Sequence, residues 1–216
     1  MKRTMVVVVL VVAGLLTAVT NPTLAQNDKK AAAILDAMSN KYKNMKSFKA
    51  AFTYSPEGGK AMKGDATVKG TKFRLTMAGQ EIFNDGTTMA TYIKETNEVN
   101  IQDFDPNEAG GLDPTKIYTA YKTGFKYNFL KEVKEGGQTY ELVELTPTAN
   151  KNSQVSKVEI QVNKADKSIK SWKIFQKNGQ RVTYKVDNFQ PNVNVADSFF
   201  AFNAKQYPGV EVVDLR

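Results

Sequence analysis

Residues Gly64 to Phe104, GDATVKGTKFRLTMAGQEIFNDGTTMATYIKETNEVNIQDF, carry the reading that decides the fold. The stretch divides into five short strands joined by tight turns. Phe73, Leu75 and Met77 alternate with Lys72, Arg74 and Thr76, the period-two pattern of a strand with one apolar face. Ala78-Gly79 ends that strand, and Gln80 to Phe83 begins the next. Asn84-Asp85-Gly86 is a hairpin signal, because such residues tolerate the positive φ of tight turns. Thr88 to Ile93 then turns at Thr96-Asn97 into Val99 to Gln102. The apolar members are large and flexible or aromatic, and no catalytic group stands among them. A sheet of this kind suits either a filled core or the lining of an apolar cavity.

The rest of the chain extends the pattern. Phe48, Ala50, Phe52 and Tyr54 alternate ahead of a loop at Ser55–Gly59. Lys126 to Lys134 and Tyr140 to Leu145 flank Gly136-Gly137, and Val158, Ile160 and Val162 alternate with polar neighbours. Ile169 to Gln176 and Arg181 to Val186 flank an Asn178-Gly179 turn. The total is about eleven strands, at the short, regular spacing of an antiparallel barrel or a heavily curved sheet. Two helices stand out. Lys29 to Lys43 carries Ala31, Ile34, Leu35, Met38 and Tyr42 on one stripe, with Asn27-Asp28 as caps. The second has Asp113 as N-cap, Pro114 in its first turn, an apolar stripe of Ile117, Tyr118 and Tyr121, and Gly124 at its end. No linker divides these elements, so residues 26–216 are expected to form one domain. About eight closed strands leave an interior that side chains can fill. Eleven closed strands enclose more than side chains readily fill; if the sheet instead stays partly open, two apolar-striped helices can lie across its concave face.

Composition removes several function classes. Lys2-Arg3, the apolar run Met5–Val19 and Thr23-Leu24-Ala25 have the form of a signal peptide cleaved after residue 25. The run falls short of the roughly 20 apolar residues a membrane span needs. Cleavage removes Lys2 and Arg3 and no acid, taking the net charge from +8 to +6. The chain has no Cys, which excludes disulfides, thiol chemistry, Cys-ligated metals and a lipidated Cys. It has no His, which excludes Ser-His-Asp sites and the usual neutral-pH base. Asp103, Asp105 and Glu108 cluster in one loop, which reads as a solvated segment or weak cation site more than as a hydrolase pair. Gly59 and Gly64 have phosphate-loop spacing, but Asp65-Ala66 stands where Lys-Ser/Thr is required. Lysines are scattered among acids and form no basic block, so nucleic acid is not an expected partner.

Three blocks carry a resemblance. They are GDATVKGTKFRL with Gln80-Glu81-Ile82 and Asn84-Asp85-Gly86, then Ser47-Phe48-Lys49-Ala50-Ala51-Phe52 upstream, and Phe200-Ala201-Phe202 with Pro208-Gly209-Val210-Glu211-Val212 near the end. In this order and spacing the chain resembles the periplasmic outer-membrane lipoprotein carrier family (LolA-type). The resemblance implies a mainly β fold with two or three helices: an incomplete antiparallel barrel with a helical lid over an apolar cavity. It implies an acyl-chain lining from Phe52, Phe73, Leu75, Met77, Ile82, Met89 and Ile101, and lid residues Ile34, Leu35, Met38, Ile117 and Tyr121. Arg74 is a candidate polar contact to lid or strand, while Gly70 stands where the best-known carriers have an Arg that bonds the lid. The implied protein is a monomer with no cofactor, no metal and no catalytic residue. It takes acylated lipoproteins from an ATP-driven inner-membrane complex and passes them toward the outer membrane, through a receptor where one exists. Alternatives are another lipid-binding or envelope-sensing module on the same fold, or a carboxylate-based envelope hydrolase. Trp172, the only Trp, sits opposite in phase to Ile169 and receives no role.

Overall fold

The computed structural model describes residues 28–105, 114–148 and 154–216. The expected signal peptide, the Asp113 cap and Glu108 lie outside these residues. The strands are β1 (Phe48–Pro56), β2 (Met62–Lys69), β3 (Lys72–Met77), β4 (Gln80–Asn84), β5 (Thr88–Ile93) and β6 (Glu98–Asp103). After residue 114 come β7 (Phe125–Glu135), β8 (Gln138–Pro147), β9 (Val155–Asn163), β10 (Ile169–Gln176), β11 (Arg181–Pro191) and β12 (Glu211–Asp214). The five strands read from Gly64–Phe104 all form. One α-helix, α1 (Lys29–Lys43), precedes the sheet.

All 12 strands belong to one sheet, in the order β12-β6-β5-β4-β3-β2-β1-β11-β10-β9-β8-β7. The sheet stays open, with β12 and β7 as its edges. Neighbours pair antiparallel except at β12, which lies parallel to β6. That parallel pair corrects the all-antiparallel expectation, and a returning segment explains it. Beyond β11 the chain crosses the outer face through short 3-10 turns at Asp197–Phe200 and Ala204–Gln206 before β12.

Open edges attract other strands, and β7 is guarded in two ways. Asp28, the N-cap of α1, donates its backbone N–H to Tyr127 O (3.2 Å) and accepts from Phe129 N through Oδ2 (3.0 Å). The same carboxylate accepts from Lys30 N at 2.7 Å, so one residue caps the helix and covers the strand edge. A bulge between Phe129 and Lys131 interrupts the rest of β7.

Candidate functional site: the inner face of the sheet

Register builds one continuous apolar surface on the concave face. Phe48, Val68 and Phe73 follow one another across β1, β2 and β3, as do Ala66, Leu75 and Ile82 across β2, β3 and β4. On the far half, Val143, Ile160, Trp172, Tyr184 and Tyr54 lie in one row from β8 to β1. Helix α1 crosses this surface with Ile34, Leu35, Met38 and Tyr42 buried in the same core. Met77, Ile82, Val158, Trp172, Ile174 and Val182 remain half-buried around it.

Both ends of α1 are tied to the sheet. Asp28 holds the first turn on β7. At the other end the Lys41 ammonium donates to Asp166 O (2.7 Å) and Oδ2 (2.9 Å), and Tyr42 OH accepts from Ile169 N at 2.9 Å. Burial pushes the Tyr42 phenol up to about 12. The segment after Pro114 is held differently. Tyr118 stacks on Tyr42 (5.4 Å between centroids), and Tyr121 OH donates to Asp36 Oδ1 at 2.6 Å.

The structure places most of the expected acyl-contact residues on this face. Phe52, Phe73 and Leu75 are buried in its core; Met77 and Ile82 pack against it, and Met89 shares the face by its pairing with Asn84. Ile101 is a correction. It faces outward with Phe83, Ala90 and Val99, because the returning segment gives β6 a second apolar cover. Ile34, Leu35 and Met38 lie on α1 as expected. Ile117 and Tyr121 do contact the inner core, but in turns and a 3-10 helix (Ala120–Lys122), so the second lid helix does not form among the described residues. About ten residues between Pro114 and Gly124 are too few for a stable α-helix without strong tertiary support. Side chains of α1 and the sheet pack together in one cluster, and two cavities among the described residues open on the sheet's other face.

Arg74 also points outward. Its Nη2 donates to Glu81 Oε2 (2.6 Å) and Tyr207 OH (3.4 Å), and the guanidinium lies over Phe83 and Phe199. It fastens the returning segment and has no contact with α1 or residues 114–122 among these bonds. Gly70 sits at the β2–β3 hairpin tip with φ +61° and open space where a Cβ would stand. A packed arginine therefore has no counterpart at that position.

The far half of the lining, from Val143 to Trp172, was absent from the expected site residues. The alternation of Val158, Ile160 and Val162 signalled an apolar face, but not which face of a twelve-stranded sheet it joined. Trp172 needed more. A bulge between Ile169 and Ser171 adds one residue to β10 and so brings Ile169 and Trp172 to the same side. The indole then stacks on Tyr184 at 4.9 Å and 9°.

On the outer face, β4–β6 carry the returning segment over Phe83, Ala90 and Val99. Asp197 joins it to Lys69 (2.7 Å) and Lys72 (2.8 Å). A cavity of about 200 Å³ lies there among Phe83, Phe200, Phe202 and Arg216. A polar groove of about 450 Å³, lined by Lys49, Lys63, Asp65, Thr76, Asn188 and Gln190, opens on β11-β1-β2-β3. Among the described residues no His, Cys, Asp and Glu group has the arrangement of a metal site. No helix there is long and apolar enough to cross a membrane.

Solved structures share the fold. An uncharacterized conserved protein of Thermus thermophilus superposes with a TM-score of 0.60 and 14% identity, over 86% of this chain and 99% of that one. Pseudomonas aeruginosa MucB, solved in complex with MucA, gives 0.50 and 14%, over 82% of this chain and 62% of that one. A structure of MucB alone gives 0.51 at the same identity. No sequence among curated proteins matches the chain. The profile described as "Outer membrane lipoprotein carrier protein LolA" matches residues 43–203. That span runs from the end of α1 through the last residues before the second 3-10 turn, and the chain therefore belongs to the LolA family of outer-membrane lipoprotein carriers.

Proposed function

We propose that the protein is a monomeric periplasmic carrier whose inner face takes the acyl chains of lipoproteins. In this reading residues 1–25 are a cleaved signal peptide, and residues 26–216 collect cargo from an ATP-driven inner-membrane complex and deliver it toward the outer membrane. The observation that carries the reading is the continuous apolar inner face with a half-buried rim, crossed by only one α-helix among the described residues. Family membership supports it independently. A fatty chain gains about 0.8 kcal/mol per buried methylene, so exported acyl groups require shelter from water. Cargo enters by exchanging places with side chains that now fill the concavity. Helix α1 is tied at both ends, and residues 114–122 pack on it through aromatic stacking, the Tyr121–Asp36 bond and a Lys122–Asp36 ion pair at 3.7 Å. Met77 and Met89 give a lining that adapts to different chains.

Incubating the purified chain with spheroplasts and identifying what leaves with it by mass spectrometry tests the proposal. Acylated lipoproteins in complex with the chain are expected; release of nothing, or of unacylated protein alone, goes against it. The likeness to MucB, solved with MucA, favours a second reading in which the fold docks a partner protein. A complex that survives removal of the acyl groups supports that reading instead.

A further inference from the structure

Two buried side-chain atoms lack a hydrogen-bond partner among the described residues, Ser39 Oγ and Asn84 Nδ2. Ser39 lies on α1, where its hydroxyl has an outlet in the Tyr121 phenol. Asn84 has no such outlet. Its side chain is fully buried, and its Oδ1 already accepts from Gly86 N at 2.7 Å. That bond fixes the amide's direction, since exchanging oxygen and nitrogen would set NH₂ against the Gly86 N–H.

Register puts Asn84 on the inner face, between Phe73 of β3 and Met89 of β5. An unpaired amide donor in such a setting costs about 1–3 kcal/mol, and few buried donors go unpaired. A donor left open beside the proposed acyl lining matches a ligand that brings its own acceptor. An acyl chain carries one acceptor at its head, the carbonyl oxygen. A free carboxylate fits less well, because among the described residues no Lys or Arg side chain is buried to compensate its charge.

We infer that Asn84 is the polar anchor of the acyl site: its Nδ2 donates to the carbonyl oxygen of an ester- or amide-linked acyl chain, which then runs along Phe73, Leu75 and Ile82. This rests on the acyl-binding reading and adds a specificity to it. The site distinguishes acylated cargo from an equally long hydrocarbon tail and sets where the chain's head stops.

The test is displacement of an apolar fluorescent probe from the chain beginning at Gln26. The competitors share one chain length: a monoacylglycerol ester, its alkyl ether analogue, an N-acyl amide and the free fatty acid. Ester or amide is expected to displace the probe at roughly five- to tenfold lower concentration than the ether, with the fatty acid weakest. Preference for the ester alone assigns the diacylglyceryl head, and preference for the amide alone assigns the N-acyl group. Asn84→Leu should bind the ether within about twofold of wild type and lose the carbonyl preference. Nitrogen-15 NMR of the Asn84 side-chain amide gives a second readout that needs no variant; its protons should shift with the preferred ligand and not with the ether. Equal binding of ester, amide and ether by wild type, or an unmoved amide signal, overturns the anchor and leaves acyl binding intact. Failure of every competitor to displace the probe overturns acyl binding itself and the anchor with it.

Discussion

The two faces of this sheet bury apolar residues by different means. Under α1 the core is a single cluster drawn from both halves of the sheet, running from Phe73 on β3 to Val143 on β8. On the outer face a smaller cluster, Phe83, Ala90 and Val99, is covered by a strap fastened through Arg74–Glu81–Tyr207 and Lys69/Lys72–Asp197. Apolar contact is non-directional, so the inner face tolerates substitution of one apolar neighbour by another. Ion pairs and aromatic clasps are directional, and they hold the strap in one place. A broad apolar core and a narrow fastened strap call for different chemistry, and this fold has one of each.

The largest expected effect comes from placing a charge in the inner core. Leu75 is 5% exposed, and Leu75→Asp should cost on the order of 4 kcal/mol, a large share of a typical domain's stability. Urea denaturation should show a largely unfolded protein. Its strand neighbour Thr76 faces the outer groove opposite Asp65, and Thr76→Lys should unfold within about 0.5 kcal/mol of wild type. Equal losses in the two variants would remove the distinction between the faces.

Gly64 sharpens the same boundary. A Cβ there would stand 2.6 Å from Phe52 Cζ and 2.7 Å from Thr76 O, because the Phe52 ring lies against the bare backbone. Gly64→Ala should destabilise by about 1–3 kcal/mol through forced displacement of the ring and strand. A thermal midpoint unchanged from wild type would show that β1 and β2 yield more readily than their register suggests.

Titration separates the faces at opposite ends of the pH scale. Burial raises Tyr42 and Tyr184 on the inner face to about 12. Their neutral forms favour the folded state, so this contribution is complete below about pH 10 and is lost as pH rises toward 12. Unfolding free energy measured across that window should fall, and Tyr42→Phe should flatten the fall by on the order of 2 kcal/mol at its upper end. A slope unaffected by Tyr42→Phe would place the titrating group elsewhere.

The smallest and most local effect belongs to the strap. Hydrogen bonds from Lys69 and then Lys72 hold Asp197 down at about 2. Its stabilising charge is present above about pH 4 and is lost as pH falls toward 2. Amide exchange by NMR should show Phe199 to Val213 losing protection over that range while β8–β10 keep theirs. In Asp197→Asn the strap should be equally loose at both ends of the range. Simultaneous loss of protection in the two regions would mean that strap and inner core unfold as one unit.

The chain's alternation determined its strands: Phe73, Leu75 and Met77, or Val158, Ile160 and Val162, announce a pleated surface because the side-chain period is a local property of the backbone. The helical stripe of Ile34, Leu35, Met38 and Tyr42 was legible for the same reason, and the three blocks from Ser47 to Val212 pointed to the family. Tertiary structure decided the rest. Whether Ile101 faces in or out depends on a segment a hundred residues away that covers the outside of β6, and alternation does not say which side is covered. Trp172 reaches the inner face only because a bulge shifts β10 against β9, a feature of pairing and not of composition. Arg74 looked available to a lid, but Glu81 on the neighbouring strand and Tyr207 of the returning segment engage its guanidinium on the outer face. Asn84 read simply as a turn residue; its vacant donor is visible only where strand register, burial and the Gly86 bond are known together. Local periodicity is written along the chain, whereas the choice of face is made by whatever distant segment arrives to cover it.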